Sequence, residues 1–159
     1  MELRCLQPKD DRQLATLIRT SLEAADLAIP GTAYFDPELT TLSSYYNHPK
    51  AAYWVIVDQD EVIGGVGIAP LASVSQTCEL QKLYVSSAYQ KQGLAQKLME
   101  TALDFASQQY AVCYLETHHS LDAACRLYER FGFQALARPL LETEHQAMDR
   151  WYQKMLHAN

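Results

Sequence analysis

The chain has 159 residues, 48% of them hydrophobic and 20% charged, and a formal net charge of −6. That length suits one domain whose core needs no staples, and no run of about 18 apolar residues exists to span a membrane as a helix. No basic block fits a nucleic-acid backbone, and the negative balance leans towards a cationic or amine substrate over an acidic one.

The N-terminal run MELRCLQPKDDRQ has no apolar stretch of the kind found in signal peptides, so a cytoplasmic protein is the expectation. Residues 3–6 read as a short strand, cut off by Pro8. Asp10 is placed to cap a helix, with Gln13 as its capping-box partner. Leu14, Leu17, Ile18, Leu22 and Ala25 form the apolar face of that helix, which ends before the Pro30-Gly31 turn. Residues 31–50 are irregular and rich in aromatic and hydroxyl side chains. A short helix there runs from Pro37 to about Tyr46, and Pro49 closes it.

Residues 52–57 read as a strand, Asp58-Gln59-Asp60 as a hairpin turn and residues 62–69 as the returning strand. Gly64-Gly65-Val66-Gly67 invites a nucleotide-loop reading. That reading fails, because no helix follows and Pro70 closes the segment. Glycines inside a strand mark a bulge or the close approach of another part of the chain. Residues 71–76 form a polar loop.

The stretch 79–106 organises the rest. Residues 79–85 are a strand, 86–93 a glycine-containing turn, and a long helix starts near Leu94. Apolar residues at 94, 98, 102 and 105, flanked by 95, 99 and 106, make one face of that helix. A strand feeding a helix through such a turn aims backbone N–H groups at one point, with the positive end of the helix dipole behind them. That is a site for an anion, and phosphate suits it.

Residues 112–116 are another strand and 117–120 a turn in which Ser120 can cap the next helix. Leu121, Ala124, Cys125, Tyr128 and Phe131 form the stripe of that helix, and Gly132 ends it. Strands at 133–137 and 149–156 follow, separated by a loop at 138–147. The four cysteines, Cys5, Cys78, Cys113 and Cys125, show no C-x-x-C spacing and read as buried free thiols. The resulting order is β-α-(α)-β-β-β-α-β-α-β-β, a mixed α/β three-layer sandwich.

Gln90-Lys91-Gln92-Gly93-Leu94-Ala95 is a Q-x-x-G-x-A pattern preceded by Leu83-Tyr84-Val85. Residues 121–133, LDAACRLYERFGF, match N-x-x-A-x-x-L-Y-x-x-x-G-F at Ala124, Leu127, Tyr128, Gly132 and Phe133. With both motifs in the right order and setting, the chain resembles the GCN5-related N-acetyltransferase (GNAT) superfamily, over nearly its whole length. Two departures stand out: Leu121 replaces the usual Asn, and Gln90 replaces a frequent Arg.

The resemblance implies a mixed central sheet with helices on both faces and acetyl-CoA as cofactor. It implies that the pyrophosphate is held by Gln90, Lys91, Gln92, Gly93, Leu94 and Ala95. Leu83, Tyr84 and Val85 would pair with the pantetheine arm, and the Val85 N–H would meet the oxyanion. A bulge splaying this strand from the one at 112–116 would open the slot. Tyr128 is the implied general acid for the leaving thiolate; it also belongs to an apolar stripe. Glu79 is the candidate base, with Glu116 as the other. Glu79, Gln81, Leu83 and Val85 share one strand face if no bulge intervenes.

His118-His119 reads as a polar turn, with no carboxylate or cysteine at a spacing that completes a metal site, and no metal is expected. Tyr34, Phe35, Tyr45 and Tyr46 lie where the family walls its acceptor pocket, or they belong to the core. The expected activity is acetyl transfer to the primary amine of a small molecule, with a homodimer possible. The rival readings are a non-catalytic acyl-CoA-binding module, a protein or peptide N-acetyltransferase, and use of a longer acyl-CoA.

Overall fold

The computed structural model describes residues 1–142 and 145–156. Its strands are β1 (Glu2–Cys5), β2 (Ala52–Asp58), β3 (Glu61–Pro70), β4 (Thr77–Val85), β5 (Val112–Thr117), β6 (Gln134–Leu136) and β7 (Arg150–Met155). The helices are α1 (Asp11–Ala24), α2 (Leu42–Tyr45), α3 (Leu94–Ser107) and α4 (Asp122–Arg130). The strands form one sheet in the order β1-β2-β3-β4-β5-β7-β6. The β4–β5 pair is parallel and the other pairs are antiparallel.

Strand alternation feeds two cores. Tyr53 and Val55 of β2 point to the face that carries α1, where they meet Leu14, Ile18 and Leu22. Trp54 and Ile56 point to the opposite face, where they meet Leu98, Met99 and Ala102 of α3. This period of two is what a strand buried on both faces requires. Each fully buried Leu or Ile is worth about 1.5–3 kcal/mol, so this packing, more than helix propensity, holds α1 and α3 in place. The expected three layers are present.

The bulge is real, and it changes the reading of β4. Gly65 pairs with Tyr84 and Gly67 with Gln81, so Val66 alone stands opposite Lys82 and Leu83. Lys82 takes up the extra residue at φ +53°, and its carbonyl accepts a 2.7 Å hydrogen bond from the Tyr53 hydroxyl. Glu79 and Leu83 therefore do not share a face: Leu80, Leu83 and Val85 pack on the α3 side and Tyr84 on the α1 side. The glycines of β3 make room for rings. A Cβ on Gly65 would lie 2.5 Å from the Tyr53 ring, and one on Gly67 would lie 2.7 Å from the rings of Tyr46 and Tyr53.

Several local expectations are corrected. Asp10 makes no side-chain cap for α1; it binds Arg4 at 2.7 Å and the Gln7 N–H at 2.8 Å. Gln13 instead accepts from the Val62 N–H at the start of β3. The helix expected from Pro37 to Tyr46 is the single turn α2, whose Ser43 N–H and hydroxyl bind Asp11. Leu121, not Ser120, is the N-cap of α4, because the Ser120 hydroxyl is bonded to His118. Cys5 is exposed, while Cys78, Cys113 and Cys125 are buried and free. Gly132, at φ +88°, ends α4 as expected. Of the loop expected at 138–147, residues 143 and 144 lie outside the described set.

Candidate active site

The sheet opens where β4 and β5 separate. The two strands pair at Thr77–Val112, Cys78–Cys113 and Glu79–Tyr114. Beyond Glu79 that pairing stops, although β4 runs on to Val85 and β5 to Thr117. The parting strands leave a cleft of about 800 Å³. Leu83, Tyr84, Val85, Gln90, Lys91, Gly93, Leu94 and Ala95 line it, as do Tyr128, Glu79 and Glu116. Gln92 is exposed and does not line it. Glu79 and Val85 stand roughly 20 Å apart along the strand, so the cleft is long.

The glycine turn fits a phosphate-bearing ligand. Lys91 and Gly93 both have positive φ, +64° and +79°, and successive turns of this kind aim backbone N–H groups into one hollow. Gly93 is the N-cap of α3, and no side chain caps the helix. No acidic residue occupies the first turn of α3, so its free N–H groups and dipole face outward uncompensated. A Cβ on Gly93 would meet nothing within 4 Å; the glycine answers to φ and to open space above the turn.

Tyr128 of α4 is buried, with its ring edge-on to Phe133 and tilted towards Tyr152. Among the described residues its hydroxyl has no hydrogen-bond partner, and no buried side-chain oxygen or nitrogen lacks one. The hydroxyl therefore opens to solvent in the cleft. Burial, then the nearby Tyr84, push the phenol pKa well up, so it keeps its proton across the physiological range.

On the other side of the bulge, polar groups gather on the α1 face. Tyr46 donates to Gln81 at 2.6 Å and Gln81 donates to Glu79 at 2.7 Å. Burial pushes the Glu79 carboxyl up; the Gln81 amide opposes this and the charge of Glu116 adds to it. Tyr114 donates to Glu116 at 2.9 Å. His145 also lines the cleft, and its Nε2 lies 2.8 Å from Asp36. Asp36 in turn accepts from Lys82 at 2.7 Å.

The model of the acetyltransferase (GNAT) family matches residues 19–133. The chain belongs to the GNAT family. It is an acetyl-CoA-dependent N-acetyltransferase. It is 41% identical over 146 residues to the protein called Uncharacterized N-acetyltransferase YjgM of Escherichia coli (strain K12), covering 90% of this chain and 87% of that one. Among solved structures, a GNAT-family acetyltransferase from Staphylococcus aureus Mu50 superposes with a TM-score of 0.86 at 18% identity, covering 98% of this chain and 99% of that one. An aminoglycoside 6'-N-acetyltransferase complexed with coenzyme A has a TM-score of 0.70 at 19% identity, covering 100% and 99%. At those identities the likeness is one of fold.

In this GNAT chain the two motifs face one cleft. The Leu121 departure is not made good nearby. Ser120 is bonded to His118 and Asp122 is paired with Arg126. Of the two readings of the aromatic residues, the core one holds for Tyr46, while Phe35 and Tyr45 are exposed and Tyr34 binds Glu23. None of the four lines the cleft. A wall of the cleft is built by Thr20, Ser21 and Ala24 of α1, by Thr32 and Ala33, and by His145 and Met148. The polar face of α1 was the one signal for it, since a helix with hydroxyl and alanine positions beside its core stripe has a second surface to offer.

Proposed function

We propose that the protein moves the acetyl group of acetyl-CoA to the primary amine of a small molecule by direct transfer. The observation that carries this reading is the single cleft that joins the uncapped start of α3, Tyr128 and the half-buried Glu79. Acetyl-CoA supplies an activated acetyl thioester and a leaving thiolate.

The turn at Gln90, Lys91, Gln92 and Gly93, with the first N–H groups of Leu94 and Ala95, binds the diphosphate. Leu83, Tyr84 and Val85 offer an unpaired strand edge that aligns an amide-bearing arm as an added strand would. An aliphatic amine has a pKa near 10.4 and arrives mostly charged. Glu79 takes its proton through water. Burial keeps the Glu79 pKa above the usual carboxylate range, which brings it nearer the operating pH and improves it as a base. Tyr128 holds a proton at its hydroxyl for the thiolate, whose own pKa the same buried surroundings raise.

The acceptor end is lined by Glu79 and Glu116, which suits a small cation. Coenzyme A release, followed across a panel of small amines and amine-bearing peptides, tests the reading. Turnover with a compact amine is expected. Turnover with peptides alone, or cofactor binding with no turnover on any amine, would overturn it.

A further inference from the structure

We propose that His118, His119 and Asp149 form a binding site for one divalent transition-metal ion of the zinc, cobalt or nickel class. The two histidines occupy the turn between β5 and α4. Asp149 is brought to them by the register of β5 with β7, in which Thr117 pairs with Arg150. The Asp149 N–H donates to the Thr117 carbonyl at 3.0 Å, so rigid sheet backbone fixes the carboxylate beside the turn. This is the carboxylate that a search by local spacing does not find, because it lies far along the chain.

The ligand atoms are already gathered. His119 Nδ1 is 2.5 Å from Asp149 Oδ2 and His118 Nε2 is 3.7 Å from the same oxygen. One nitrogen of each ring and a carboxylate oxygen all lie within 4.8 Å of one another. Ligands around one zinc ion, each about 2.0–2.2 Å from it, sit roughly 3–3.5 Å apart. Small movements of the His119 ring and the carboxylate reach that spacing.

The outer hydrogen bonds favour the same arrangement. The His119 backbone N–H holds Asp149 Oδ1 at 2.8 Å, which leaves Oδ2 turned to the rings. His118 Nδ1 lies 2.7 Å from the Ser120 hydroxyl. A ring that ligates through one nitrogen characteristically gives its other N–H to such a partner. The Ser120 backbone N–H donates to that nitrogen at 3.2 Å; binding through Nε2 moves the ring proton to Nδ1, where this long contact gives way and the hydroxyl accepts. Two imidazoles and a carboxylate suit zinc, cobalt and nickel. His119 and Asp149 are exposed, which gives an ion entry and leaves coordination positions for water.

The test is calorimetric titration of zinc chloride into the full chain stripped of metal, with the cobalt absorption spectrum as a second readout. One ion per chain with micromolar affinity is expected, and cobalt should show no thiolate charge-transfer band. His119→Ala and Asp149→Ala should each weaken binding by more than about tenfold, with acetyl-CoA affinity unchanged as the folding control. Cys5→Ser and His48→Ala should leave it intact. Absence of saturable binding, affinity unchanged in His119→Ala, or a thiolate band lost with Cys5→Ser would overturn the site. None of these readouts depends on acetyl transfer.

Discussion

Asp36 and Lys82 form a 2.7 Å ion pair whose side chains are only 5% and 4% exposed. Lys82 is the bulge residue of β4, and Asp36 follows the turn at Thr32 and Ala33 that walls the cleft. The pair joins the wall to the strand. A buried ion pair adds little net stability against an apolar replacement, but removing one partner strands the other. Asp36→Ala should therefore cost about 3–5 kcal/mol in urea unfolding. The double variant Asp36→Leu/Lys82→Met should recover most of it. Additive losses would show that the two do not act as a pair.

His145 extends this pair, and its stability effect depends on pH in a definite sense. For Asp36, burial alone would raise the carboxyl, but the His145 hydrogen bond and Lys82 hold it below its ordinary value. Its contribution is present above about pH 4, the unfolded value, and is lost as pH falls through the lower folded one. For His145, burial alone would lower the imidazole, but the Asp36 hydrogen bond and charge hold it above its ordinary value. Its contribution is complete below about pH 6.5 and is lost as pH rises through the higher folded value. The tie is strongest between those limits. Melting curves of the wild type and His145→Gln should differ most near pH 5–6 and converge above about pH 8; a constant gap would contradict this.

Tyr128→Phe and Glu79→Gln should separate the two proton transfers. Phenylalanine keeps the ring contacts with Phe133 and Tyr152 and loses only the hydroxyl. Turnover should fall by about 10²–10⁴ with acetyl-CoA affinity nearly unchanged. Glu79→Gln should lower turnover and also remove the acid limb of the pH–rate profile, since that limb reports the base. An unshifted limb would move the base elsewhere, and unchanged turnover in Tyr128→Phe would leave that residue as packing.

Gly93→Ala isolates the glycine turn. The new methyl group meets no protein atom within 4 Å, so its cost to folding is the left-handed backbone alone, about 1–2 kcal/mol. It also enters the open space above the α3 N-terminus. Affinity for coenzyme A, measured by calorimetry, should fall about tenfold or more, while desulfo and full-length forms of the cofactor are affected alike. Equal affinity in the variant would place the diphosphate away from this turn.

The parts of the site legible in the sequence were local ones. Gly93 between strand and helix patterns, and Tyr128 four residues after Ala124 within a clear stripe, were readable because the distance from residue to role is one turn of backbone. Three features were not readable. Glu79, Gln81, Leu83 and Val85 look like one uninterrupted face, because an inserted residue in a bulge leaves no mark when its neighbours are of mixed polarity. Asp36, His145 and Asp149 act through partners far along the chain, and no periodicity encodes such a meeting. Tyr46 reads equally as pocket wall or core, yet with Tyr53 of β2 it fills the space above Gly65 and Gly67. Matching a missing Cβ on one strand to a ring from another needs three dimensions.

The early end of the β4–β5 pairing has a consequence beyond catalysis. It creates two strand edges in the middle of a sheet, where unpaired backbone groups face each other across solvent. Edges of this kind invite pairing with any extended chain. The glycine-containing turn lies at one end of this opening and α4 lines it too. A ligand that lays amide groups along the opening also completes a ladder the polypeptide leaves unfinished. Amide exchange along the β5-facing edge of β4 is therefore expected to slow when such a ligand binds, while the Tyr84 amide, already on the β3 side, should change little.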